Sequence, residues 1–152
     1  MNFSLSERRI DGQFVSLIYA LWDDQRRELR VANSGLPRPV YCHDGKIEII
    51  EATGLPLGLF DETEYEELAF TPGPGDLFIF FSDGILDAQN RQRELFGRGR
   101  LEQIVTASCG LPADAVVDAI FGAVAQHAGS EDAFDDQTVV VMRVKGDSGK
   151  TA

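Results

Sequence analysis

The hydrophobic period changes partway along this chain, and that change limits the folds open to it. Up to Phe81 the apolar residues alternate or run in blocks of strand length. From Arg100 they recur every three or four residues, until a last apolar block opens at Val139. The first part therefore predicts strands. Phe14–Trp22 is rich in apolar and β-branched residues and is expected to be buried on both faces. "DDQRR" (Asp23–Arg27) is a turn and "ELRVAN" (Glu28–Asn33) the returning strand. "SGLPRP" is loop, because Gly35, Pro37 and Pro39 break regular pairing. "VYCH", "DG" and "KIEII" read as a hairpin whose Asp44-Gly45 centre suits a type I′ turn. "TGLPLGLF" (Thr53–Phe60) is a loop with four large apolar residues, so it is expected to pack down. "EYEELAF" (Glu64–Phe70) and "LFIFF" (Leu77–Phe81) complete what reads as an antiparallel meander.

The second part predicts two helices and a strand. "RLEQIVTASC" puts Leu101, Ile104 and Val105 on one helical face. Leu111-Pro112 starts another helix, with proline in its first turn. Its stripe of Val116, Val117, Ile120, Phe121 and Val124 is core-facing. "QTVVVMRV" (Gln137–Val144) is a continuous apolar run and is expected to lie centrally in a sheet, sharing one core with Phe14–Trp22, Leu77–Phe81 and the Val116–Val124 stripe. Strands, then helices, then a returning strand give an α+β class.

A length of 152 residues fits one domain, able to bury roughly 70 % of its unfolded surface. The net charge of −11 excludes nucleic acid as a natural partner, since that affinity rests on Lys and Arg. It equally disfavours an anionic membrane surface. No run approaches the length of a membrane span, and "MNFSLSERRIDG" lacks the apolar centre of a signal peptide. Cys42 and Cys109 have no metal-ligand spacing. Two distant thiols fit a reducing cytoplasm better than a disulfide framework, with a structural disulfide as the lesser alternative. The polar tail from Lys145 is expected to fray.

The chemistry is concentrated where acids meet strand ends. In "LFIFFSDGILDAQN", Asp83 follows an apolar strand and precedes glycine. In "FDDQTVVVMRV", Asp135 and Asp136 open one. Antiparallel neighbours would bring that exit and that start to the same sheet edge. Clustered carboxylates repel unless protonated or bridged by a cation. Oxygen-only ligands suit Mg²⁺ or Mn²⁺. Taken singly, each stretch is equally a turn acid. His43 and His127 fall outside both stretches and read as surface residues.

Together, "SDG" (Ser82–Gly84) and "DDQT" (Asp135–Thr138) resemble the metal-dependent protein phosphatases of the PPM family, in the bacterial branch related to stage II sporulation protein E. "ANSG" (Ala32–Gly35), "GLPLGL" (Gly54–Leu59), "PGD" (Pro74–Asp76) and "LFGRGRL" (Leu95–Leu101) follow the same order. The resemblance spans about Phe14 to Lys145. It implies an antiparallel β-sandwich flanked by helices, here lacking the family's N-terminal block, with residues 1–145 as the C-terminal part of the domain and 146–152 as a tail. It implies Asp83, Asp135 and Asp136 as metal ligands, with Mg²⁺ or Mn²⁺ as cofactor. The implied reaction is hydrolysis of phosphoserine or phosphothreonine on a cytoplasmic signalling protein, such as an anti-sigma-factor antagonist. The family's earlier "G-D" and "D-V-x-G-x-G" elements, whose aspartates bridge two metals, have no counterpart here, and Leu36 stands where histidine often follows "AN[AS]G". The isolated chain is therefore expected to be incomplete as a catalyst and to self-associate through unpaired strand edges. The alternative is a non-catalytic pseudophosphatase that binds a protein partner.

Overall fold

The computed structural model describes residues 14–60 and 63–146. The N-terminal stretch and almost all of the polar tail read above lie outside them. The described chain forms two compact units, each built from two segments: residues 14–38 with 51–72, and residues 39–50 with 73–146.

The first unit holds a three-stranded antiparallel sheet of β1 (Leu17–Asp23), β2 (Glu28–Ser34) and β5 (Glu67–Phe70), with β2 in the centre. The β1–β2 turn forms as expected: the Asp23 carboxylate accepts from the Gln25 and Arg26 amides at 2.9 and 3.0 Å. Strand β2 buries Leu29 and Val31. Strand β1 departs from the expectation of two buried faces. It is an edge, and Tyr19 and Leu21 are 54 % and 48 % exposed. Its composition says apolar, but burial depends on neighbours that no local pattern encodes. Thr53–Phe60 packs down only in part. Leu57 is buried and exchanges backbone bonds with Val15 at 2.8 and 3.0 Å, whereas Leu55, Leu59 and Phe60 stay exposed. The "ANSG" segment grips this loop: Asn33 Nδ2 donates to Leu36 O and Ala52 O, and Ser34 Oγ to Leu55 O.

The second unit holds a four-stranded antiparallel sheet ordered β4 (Lys46–Ile49), β3 (Val40–His43), β6 (Leu77–Phe81), β7 (Val139–Arg143). The hairpin expected at Asp44-Gly45 is present, with φ of 49° and 72°; both residues occupy the left-handed region that a type I′ turn requires. The chain is thus no simple meander, because the β3–β4 hairpin pairs with β6 instead of lying between β2 and β5. Nor is β7 central; it is the edge next to β6, and Val140 is 55 % exposed. A short helix α1 (Asp83–Leu86) follows β6, then α2 (Gly97–Ser108) and α3 (Ala113–Ala128), the last entered through Pro112. Leu101 and Val105 of α2 and Val116, Ile120 and Val124 of α3 pack with Leu77, Ile79 and Phe81 into one core, with Val139 and Val141 partly buried against it. That core does not include β1, which belongs to the other unit.

Cys42 and Cys109 are joined in a disulfide, with Cα atoms 6.1 Å apart and the two residues 67 positions apart in sequence. This corrects the expectation of two free thiols. Spacing along the chain could not reveal that β3 and the end of α2 meet. Among the described residues no helix is long and apolar enough to cross a membrane.

Candidate metal centre

Strand β6 carries polar constellations at both ends. Its apolar run is fully buried at Leu77, Phe78 and Ile79, which fixes it centrally and projects Asp76 and Asp83 from opposite ends.

At the exit, pairing of Phe81 with Val139 brings "SDG" against "DDQT". Ser82 is the latch. Its amide donates to Thr138 O at 3.0 Å. Its hydroxyl donates to Asp136 O and accepts from the Thr138 amide, both at 2.9 Å. Gly84 is required by this approach: a Cβ there would stand 2.4 Å from Asp136 O and 3.2 Å from Asp135 O. The 2.4 Å separation is one that a real Cβ does not adopt against a backbone oxygen, so glycine lets the two segments close. Asp83 begins α1, and Asp135 Oδ1 accepts from the Asp136 amide at 2.7 Å. All three aspartates are exposed. The two acidic segments that the strand pattern predicted to meet therefore do meet.

The donor set fits a hard cation only in part. Carboxylate oxygens at one sheet end are the right chemistry for Mg²⁺ or Mn²⁺. Yet among the described residues no three His, Cys, Asp or Glu side chains gather closely enough to hold a metal.

At the opposite end, the buried Asp76 of "PGD" organises a second network, which the sequence did not reveal. Tyr41 Oη donates to Asp76 Oδ2 at 2.6 Å, the Gly73 amide donates at 2.8 Å, and His43 Nδ1 lies 2.9 Å from both carboxylate oxygens. Burial works to raise the Asp76 pKa, but the bonds from Tyr41, His43 and Gly73 outweigh it and hold this carboxyl below its ordinary range. The hydrogen bond to Asp76 raises His43. Burial, reinforced by Asp76, pushes Tyr41 up. Tyr41 and His43 stand two apart on β3, on one face of the strand, and Cys42 pairs with Leu77, so an aspartate just before β6 reaches both. That spacing was the available signal. His43 is exposed as read, and His127 meets the Glu94 carbonyl at 2.9 Å and the Phe96 ring edge.

The sequence pattern of the family described as Stage II sporulation protein E (SpoIIE) matches residues 1–145. The chain belongs to the SpoIIE family. This is the bacterial branch of the PPM-type serine/threonine phosphatase domains. The chain is 26 % identical over 133 residues to protein IcfG of Synechocystis sp., covering 86 % of this chain and 21 % of IcfG. It is 23 % identical over 142 residues to the phosphoserine phosphatase RsbU of Bacillus subtilis, covering 91 % and 42 %. The chain thus spans less than half the length of these curated relatives. Among solved structures, the Mn-presoaked phosphatase domain of SpoIIE from Bacillus subtilis superposes with a TM-score of 0.71 at 22 % identity, over 96 % of this chain and 64 % of that one. The shared architecture is α+β, with two antiparallel sheets and helices.

Proposed function

We propose that residues 1–145 are the C-terminal part of a metal-dependent phosphatase domain, followed by a tail at 146–152, and that the whole domain hydrolyses phosphoserine or phosphothreonine on a cytoplasmic regulatory protein. The supporting observation is the Ser82 latch, which joins "SDG" to "DDQT" at one strand end. In this reading Asp83, Asp135 and Asp136 supply oxygen ligands to Mg²⁺ or Mn²⁺. Such cations lower the pKa of bound water and offset charge on phosphate oxygens. The chain's own contribution is positional. Ser82 and Gly84 fix the distance between the acidic segments, and the buried β6 holds both against the core. Because three ligands do not converge among the described residues, this chain alone should turn over phosphoserine peptides weakly or not at all.

The test is a Mn²⁺ titration followed by NMR, with a phosphoserine-peptide assay beside it. Paramagnetic broadening should strike the Gly84 and Thr138 amides first and weaken in Asp83→Asn. Broadening centred elsewhere, with those two amides untouched, would refute the site. Robust turnover abolished by Asp83→Asn would show instead that the ligand set is complete within this chain.

One observation favours a second reading, a partner-binding module without turnover. The first unit exposes Phe14, Val15, Tyr19 and Leu21 along and beside an edge strand. Large apolar side chains exposed beside an edge strand offer surface to a partner.

A further inference from the structure

We infer that the Cys42–Cys109 bond is a thiol–disulfide exchange site, opened by small monothiols while the fold around it stays in place. The inference is independent of the phosphatase reading.

Location comes first. The disulfide lines a cleft of about 300 Å³ shared with Asp44, Gly75, Asp76 and Arg143. Access is from that cleft: Cys109 retains 7 % exposure and Cys42 3 %. The second point is that neither backbone depends on the sulfurs. Cys42 is paired on both sides, with Ile47 of β4 and Leu77 of β6. Cys109 is held by Arg143, whose guanidinium donates to Cys109 O and Gly75 O at 2.6 Å each, and to Leu111 O. Arginine at a helix C-terminus satisfies carbonyls that the helix leaves unpaired, so the end of α2 stays on the sheet after the bond opens. The third point is a vacancy in hydrogen bonding. Arg143 Nε is buried and makes no hydrogen bond among the described residues. A buried donor without an acceptor is costly, and a thiolate released into the same cleft is an acceptor.

The chemistry follows. An incoming thiolate attacks Sγ of Cys109, the more exposed of the two residues. The S–S electron pair leaves on Cys42 as a thiolate, and Cys109 becomes a mixed disulfide. Cys42 is the better leaving group because Cys109 follows the C-terminus of a 12-residue helix, whose partial negative charge disfavours an anion there. A second thiolate attacks the small-molecule sulfur of the mixed disulfide and releases the Cys109 thiolate. Two monothiols are oxidised to one disulfide, and the protein gains two thiols after proton uptake.

The test equilibrates the native protein with graded ratios of reduced to oxidised glutathione. Thiols are trapped by alkylation and counted by mass, and circular dichroism is recorded at each point. Two thiols per chain should appear together, without denaturant and with an unchanged spectrum. In Cys42→Ala, oxidised glutathione should cap Cys109; in Cys109→Ala, Cys42 should be capped at least several-fold more slowly. A bond that survives every ratio until denaturant is added would make it a permanent staple and overturn the proposal. So would loss of the folded spectrum in step with thiol release. The unmodified protein decides both outcomes, even if neither cysteine variant folds.

Discussion

Two residues test the site and its distal counterpart. Gly84→Ala would force a methyl group into the Asp136 carbonyl, an overpacking cost of about 1–3 kcal/mol. Urea unfolding should register that loss, and an unchanged midpoint would contradict the close approach of the two acidic segments. Asp76 gives a pH signature. Its folded pKa is depressed, so its contribution is present above its ordinary 3.8 and lost as pH falls through the lowered value. That of His43 is raised, so its contribution is full below its ordinary 6.5 and lost as pH rises through the higher value. The pair therefore stabilises most between these two ordinary values and weakens on the alkaline side. In Asp76→Asn the alkaline decline should flatten. Parallel pH–stability curves for the two proteins would show that the His43–Asp76 bond carries no linkage.

At the level of elements, β6 and β7 have similar apolar sequences and opposite tolerances. Ile79 of β6 is fully buried, while Val140 of β7 is 55 % exposed on an edge strand. Ile79→Asp buries an unpaired carboxylate, which costs several kcal/mol, and should abolish cooperative melting. Val140→Asp should change stability by less than about 1 kcal/mol, as surface substitutions do. Calorimetry on both variants checks the sheet order. Equal damage from the two would place β7 in the interior, as its composition alone had predicted.

For the molecule as a whole, β1 is the apolar edge strand of the first unit's sheet among the described residues. Its seven residues carry a single charge, Asp23, and no proline. Edges of this kind invite pairing with another chain. A net charge of −11 opposes that contact, and salt screens the repulsion. Sedimentation velocity should therefore show association that rises with both protein and salt concentration, and Leu21→Lys should suppress it. A monomer at all concentrations, with or without added salt, would leave the exposed face of the first unit without a self-association role.

Much of this protein follows from its sequence by itself. The α+β class, the type I′ hairpin at Asp44-Gly45 and the core faces of the two helices all arise from local period and turn chemistry, which each segment carries with it. The approach of the Ser82–Gly84 segment to the Asp135–Thr138 segment was also legible, because antiparallel pairing of two apolar strands joins one exit to one start. Tertiary structure alone decided which strands became edges, so Phe14–Trp22 and Val139–Arg143 proved less buried than their composition implies. It also decided the Cys42–Cys109 bond and the hold of Tyr41 and His43 on Asp76. These are contacts between residues tens of positions apart. Their partners are set by sheet order and by which helix end reaches which strand, and a sequence window a few residues wide contains neither.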